Sequence, residues 1–165
     1  MRAMAEHMRA LAAVTGWAAL SAPADAGVWR VALENDLDAA FFSLGEKLCV
    51  MHGVVAELPP SAFEADALCS EAARRQMAVL RERPSILALE EAGPSPVPGE
   101  AALAAARLVC FRTVPLQVDT EALAAAVQAW LNDFAWWKST LAGAGAQEAG
   151  LRSVFGADVF SGLKL

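Results

Sequence analysis

Two residues of this chain have side chains that could work together as nucleophile and base, Cys49 and His52. A thiol activated by an imidazole needs the two groups within hydrogen-bond reach. They stand three residues apart in the apolar run LCVMHGVV, which reads as a strand. At that spacing they point to opposite faces. The spacing therefore predicts no catalytic pair. His7 lies on the amphipathic N-terminal segment, read as the first helix. The acidic pairs Asp36/Asp38 and Glu90/Glu91 fall at turns or strand ends and read as solvated. Glu64 and Asp66 are close in sequence, but no histidine or cysteine stands at a spacing that would complete a metal site. The three cysteines, Cys49, Cys69 and Cys110, show no C-x-x-C pattern. Free thiols in a reducing compartment follow, two of them in apolar strand-like runs. Phosphate loops, paired-histidine zinc motifs and the serine nucleophile elbow have no counterpart here. The residues predict no catalytic site, no metal and no cofactor, and they point to binding.

Composition agrees with that direction. Of 165 residues, 56% are hydrophobic and only 19% charged, which predicts apolar surface that one copy alone does not cover. The net charge of -6 argues against nucleic acid as a partner. No apolar run approaches the ~20 residues of a membrane-spanning helix. The length fits one domain, assigned to residues 1–146, with 147–165 as a C-terminal extension of unread role.

The N-terminus admits two readings. Leu11 to Leu20 is apolar, and SAPADA before Gly27 resembles a cleavage site, so residues 1–26 could be the signal of an exported or periplasmic binding domain. Glu6 in the would-be cationic region argues against that. So does the helical stripe Met4, Met8, Leu11 and Thr15, opposite Arg2, Glu6 and Arg9. The stripe favours a retained helix from Arg2 to Ala18.

The remaining elements must position whatever binds. Val28 to Glu34 alternates, with Trp29, Val31 and Leu33 on one face, and Asn35-Asp36 marks a turn. Ala39–Leu44 and Lys47–Val55 are strands joined by a tight Gly45-Glu46 hairpin. Both are apolar on both faces, at Phe41 and Phe42 and at Val50 and Met51, so both faces need cover. Ser61 and Glu64 suit a capping box for a helix from Ala62 to Glu82, ended by Pro84. Its small residues, including Ala65, Cys69, Ala72 and Ala73, together with Gln76 and Leu80, allow close packing. Ser85–Glu90 is a fourth strand, Gly93–Gly99 a proline-rich loop and Arg107–Val114 a fifth strand. Asp119 caps a last helix whose stripe is Leu123, Val127, Trp130, Phe134, Trp137 and Leu141, with Trp136 on the opposite side. The run AGAGA from Ala142 should end it, with a further short helix around Leu151–Phe155. The fold class is α+β in the order α-β-β-β-α-β-β-α, a twisted antiparallel sheet flanked by helices.

Three segments carry a family likeness. GVVAELPP (Gly53 to Pro60), SILALEEAG (Ser85 to Gly93) and RLVCFRTVPLQVDTEALAAAVQAWLNDFAWWKSTL (Arg107 to Leu141) resemble class I type III secretion chaperones, the CesT-like (Tir chaperone) family. The junction departs from the family pattern, reading VPL with Val114 in place of leucine. The resemblance implies a cytoplasmic homodimer in a Gram-negative bacterium, which binds the N-terminal segment of secreted effectors and keeps it export-competent. It implies no nucleotide of its own, no membrane insertion, and contact with the secretion-apparatus ATPase. For the effector-binding patch the expected residues are Met4, Met8, Leu11, Trp29, Val31, Phe41 and Phe42. Methionines suit varied partners. For the dimer interface they are Ala72, Ala73, Ile86 and Trp136.

Overall fold

The computed structural model describes residues 2–23, 27–33, 36–91 and 106–155, with residues 2, 21 and 143–155 described by backbone alone. Helix α1 spans Arg2–Thr15 and is followed by a short 3-10 turn at Ala18–Ser21. Strands β1 (Val28–Leu33), β2 (Leu37–Leu44) and β3 (Leu48–Glu57) form a meander. Helix α2 (Ala62–Val79) crosses to β4 (Ile86–Glu91) and β5 (Ala106–Pro115), and α3 begins at Thr120 and runs to Phe155. The five strands are antiparallel in the order β1-β2-β3-β5-β4, so β1 and β4 are the edges. The fold is α+β, with the element order that the sequence predicts.

The hairpin between β2 and β3 turns through Gly45 and Glu46, both at positive φ (59° and 57°). Two such residues in succession match the strand twist, which is why a glycine serves there. Asp36, at φ 55°, makes the β1–β2 turn, where a short polar side chain tolerates the left-handed region. Asn35 and the expected loop Gly93–Gly99 lie outside the described residues.

All three helices feed one core on the inner face of the sheet. Met4, Met8 and Leu11 of α1, Ala72 of α2 and the full stripe Leu123 to Leu141 of α3 are buried there with Trp29, Val31, Phe41, Met51 and Cys110. Removing residues 1–26 would strip Met4, Met8, Leu11 and Leu20 from that core. Phe41 meets Trp130 edge-on at 5.9 Å, and Trp130 stacks on Phe134 at 5.3 Å. His7 Nε2 lies 2.6 Å from the Leu116 carbonyl, tying α1 to the end of β5.

Three boundaries correct the sequence reading. Helix α1 ends at Thr15, whose hydroxyl donates to the Leu11 carbonyl at 2.8 Å, and Gly16 follows at φ 75° as a left-handed stop. Ser61 precedes α2 without a side-chain cap bond, so the Ser61 half of the expected capping box is not formed. Helix α3 does not stop at AGAGA and runs through the expected domain boundary at 146. A helical glycine costs only about 1 kcal/mol, and the alanines around these two carry the helix past them. Asp119 does cap it, accepting from the Ala122 N–H at 2.7 Å.

Candidate functional site

Alternation along the strands leaves a second, outer sheet face. One row crosses all five strands: Arg30, Ala40, His52, Phe111 and Ile86. A neighbouring row joins Val28, Phe42, Val50 and Thr113, and another joins Val54, Val109 and Ala88. This face is apolar at its centre, where Ala40, Val50 and Val109 are buried and Phe42, Val54 and Phe111 are half-buried, and none of these residues joins the core cluster that the described helices cover. The expectation that β2 and β3 carry apolar side chains on both faces is met by Phe41 inward and Phe42 outward.

A polar cluster is set into this face. Glu90 Oε2 accepts from Arg107 Nε at 2.7 Å and lies 3.3 Å from His52 Nε2. Partial burial works to raise the Glu90 carboxyl, but the Arg107 hydrogen bond and the His52 and Arg107 charges outweigh it and hold the group below its usual range. Glu90 is thus not the freely solvated strand-end acid that its sequence position suggests. Phe42 sits 6.4 Å from the His52 ring.

The second exposed surface is formed by α2 and β4. Phe63, Ala73, Met77 and Leu80 lie on the solvent side of α2, and Leu89 is exposed on β4, whereas the exposed Ile86 stands on the outer face beside Phe111. The small-residue face expected for α2 divides in two. Ala72 and Gln76 turn toward the molecule, while Ala73 and Leu80 turn out. Beneath this surface lies a polar network that sequence reasoning missed. Asp133 of α3 is buried; it accepts from Arg83 Nη1 at 3.0 Å and from the Ser85 hydroxyl at 2.6 Å. Asp133 sits between core residues Trp130 and Phe134 and next to Asn132, so its approximate helix angle alone did not mark it as buried. The Arg83 guanidinium also covers the Trp136 ring at 4.5 Å. The off-stripe Trp136, expected at an interface, is half-buried under this arginine and edge-on to Trp137.

The other expected site residues distribute as follows. Of the seven proposed for effector binding, Met4, Met8, Leu11, Trp29, Val31 and Phe41 are buried in the core, and only Phe42 reaches the outer face. Their apolar stripes mark packing against α3 and the sheet, and they present no surface. Of the four proposed for the dimer, Ala73 and Ile86 are exposed, Ala72 is buried and Trp136 is partly covered. Cys49 faces the core while His52 faces the other way, so the two form no pair. Burial pushes the Cys49 thiol up to about 12. Burial and the Asp133 charge push the Cys110 thiol up to about 12. Burial and the Asp66 charge raise Cys69 as well. None of the three is poised as a thiolate nucleophile. Among the described residues, no group of three or more acidic, histidine or cysteine side chains could hold a metal, and no helix is long and apolar enough to cross a membrane.

Neither the protein-family models nor the curated proteins contain a match to this chain.

Proposed function

We propose that this chain is a type III secretion chaperone of class I, a cytoplasmic homodimer that holds the N-terminal segment of an effector in a non-globular state for export. The observation that carries the proposal is the outer sheet face, where Phe42, Val54 and Phe111 stand partly exposed around the buried Val50 and Val109, apart from the helix-covered core. An unfolded segment loses chain entropy when ordered, so its holder must offer apolar area in compensation. A wide apolar sheet face offers that area without requiring a folded client. The element order and the three quoted segments support the same reading, since both resemble the secretion-chaperone family.

In this proposal the client docks on the outer face through Phe42 and Phe111, and the buried methionines of α1 shape the core beneath. The exposed strip of α2 forms the homodimer contact, with Ala73 at its centre, while Ile86 of β4 stands on the outer face beside Phe111. The secretion-apparatus ATPase is the further partner that receives the loaded complex.

Copurification from the native host, with the bound protein identified by mass spectrometry, tests the proposal together with light scattering at micromolar concentration. The expected result is a dimer that retains the N-terminal segment of an exported protein, lost on Phe111→Lys. A strict monomer that retains no exported protein sinks the reading.

A further inference from the structure

The side-chain amide of Gln76 makes an unusual two-point contact with the first residues of β4. Its Nε2 donates to the Ser85 carbonyl at 3.1 Å, and its Oε1 accepts from the Leu87 N–H at 2.9 Å. A carbonyl and the N–H two residues later, on one side of a strand, are the groups that a neighbouring strand would engage. Gln76 therefore imitates one rung of strand pairing.

The phase of the contact identifies the edge it occupies. Leu116 N–H donates to the Lys47 carbonyl, and Leu58 N–H donates to the Ala106 carbonyl, so even-numbered residues of β5 face β3. Odd-numbered residues of β5 then face β4, and pair with Ile86, Ala88 and Glu90. The main-chain groups of Ser85, Leu87, Leu89 and Glu91 point the other way, to the outer edge of the sheet. Gln76 binds the first of these. Among the described residues, no strand pairs on that side of β4.

We infer that Gln76 is a guard built into α2 that closes the start of the β4 edge against strand addition. Edge strands offer unpaired donors and acceptors to other chains, and proteins blunt them by covering or interrupting that row. Here the blunting group is a helix side chain whose amide supplies one donor and one acceptor, as a peptide group does. Exposed Ile86 and Leu89 make the strand adhesive in its side chains, which gives the guard something to restrain. Pairing that would begin at Ser85 is excluded, and any pairing on this edge is confined to the stretch from the Leu87 carbonyl to Glu91. The inference stands whether or not the chain is a chaperone.

Amide hydrogen exchange on the parent chain and on Gln76→Met tests it. Methionine keeps the length of the side chain and removes both hydrogen bonds. In the parent, the Leu87 amide is expected to exchange at least about tenfold more slowly than the Leu89 amide. In Gln76→Met the Leu87 amide speeds up while the Ala88 amide, which faces β5, is unchanged. The variant is also expected to self-associate beyond the parent in sedimentation and to bind thioflavin T. Adding Leu89→Pro, which removes an outward N–H only, should reverse that association. Equal exchange at Leu87 and Leu89 in the parent overturns the inference, and that measurement decides the matter if Gln76→Met does not fold. A Gln76→Met chain that associates no more than the parent overturns it too, as does association that survives Leu89→Pro.

Discussion

The ring of Phe134 lies against the Cα of Gly53, so near that a methyl group at position 53 would stand 2.4 Å from Cζ of the ring. Helix α3 is thereby keyed into the sheet at β3. The backbone at Gly53 is ordinary, so the glycine is required for space and not for conformation. Phe134 is fully buried and stacked on Trp130, so the ring has no room to retreat.

Gly53→Ala is expected to destabilise the fold by about 1–3 kcal/mol through overpacking. Phe134→Leu in the same chain should recover part of that loss. A double-mutant cycle by urea denaturation measures the coupling, and simple additivity of the two changes would refute the keyed contact.

Asp133→Ala leaves Arg83 and the Ser85 hydroxyl without their shared acceptor. Loss of one partner of a fully buried ion pair costs about 3–5 kcal/mol. Arg83 is partly exposed and rehydrates, so about 2–3 kcal/mol is expected. Denaturation midpoints check this. Because Arg83 also covers Trp136, the variant should shift the tryptophan emission.

The two buried thiols give a directional prediction in alkali. Cys49 and Cys110 are raised to about 12 in the folded chain from an ordinary value of 9.0. Below pH 9 both states hold the proton, and the contribution is fully present. As pH rises from 9 toward 12, only the unfolded chain releases it, and stability falls. Cys49→Ala with Cys110→Ala should flatten that alkaline decline relative to its own neutral baseline. At pH 8, a thiol reagent should modify Cys69 first and the other two only on unfolding.

Glu90 has the opposite sign. Its carboxyl is held low, so its contribution is present above the ordinary carboxylate range and is lost as pH falls through the depressed folded value. Glu90→Gln should remove that acid-side dependence. Stability measured between pH 3 and 6 reads the difference.

Phe42→Lys and Phe111→Lys should leave the fold largely intact, since both side chains stand outside the helix-covered core. Met8→Lys should unfold the chain, since Met8 is fully enclosed. Far-UV dichroism separates the two outcomes, and, under the proposed function, the two phenylalanine variants should lose an exported client while they remain folded.

The strands and the α3 stripe were legible because their periods are strong. Trp29, Val31 and Leu33 alternate, and Leu123 to Leu141 recur by fours and threes, so burial followed directly from spacing. Six of the seven residues expected to bind an effector are buried for the same reason. A periodic apolar stripe records that a side chain is covered, and Met4 and Met8 are covered by this chain's own α3 and sheet. The outer face was visible only as a surplus, in Phe42 beside Phe41 and Val50 beside Met51. Gln76, Asp133 and Glu90 left no local signal. Their roles depend on partners at Ser85, Arg83, Leu87, His52 and Arg107, which pairing and packing bring together, and no spacing along the chain encodes those meetings.

The strand order sets a sequence of assembly. β1, β2 and β3 are joined by tight turns and can pair as soon as they exist. Their inner face then lacks its aromatic cover until α3 is made, since Trp130, Phe134 and Trp137 supply most of it. The His7 contact to Leu116 spans 109 residues and closes only at that stage. Such distant closure slows folding, because loop entropy is lost before contacts repay it. During synthesis, the first half of this chain is therefore an open, adhesive sheet awaiting its last helix, and its yield in the cell should depend on how soon residues 120–141 emerge.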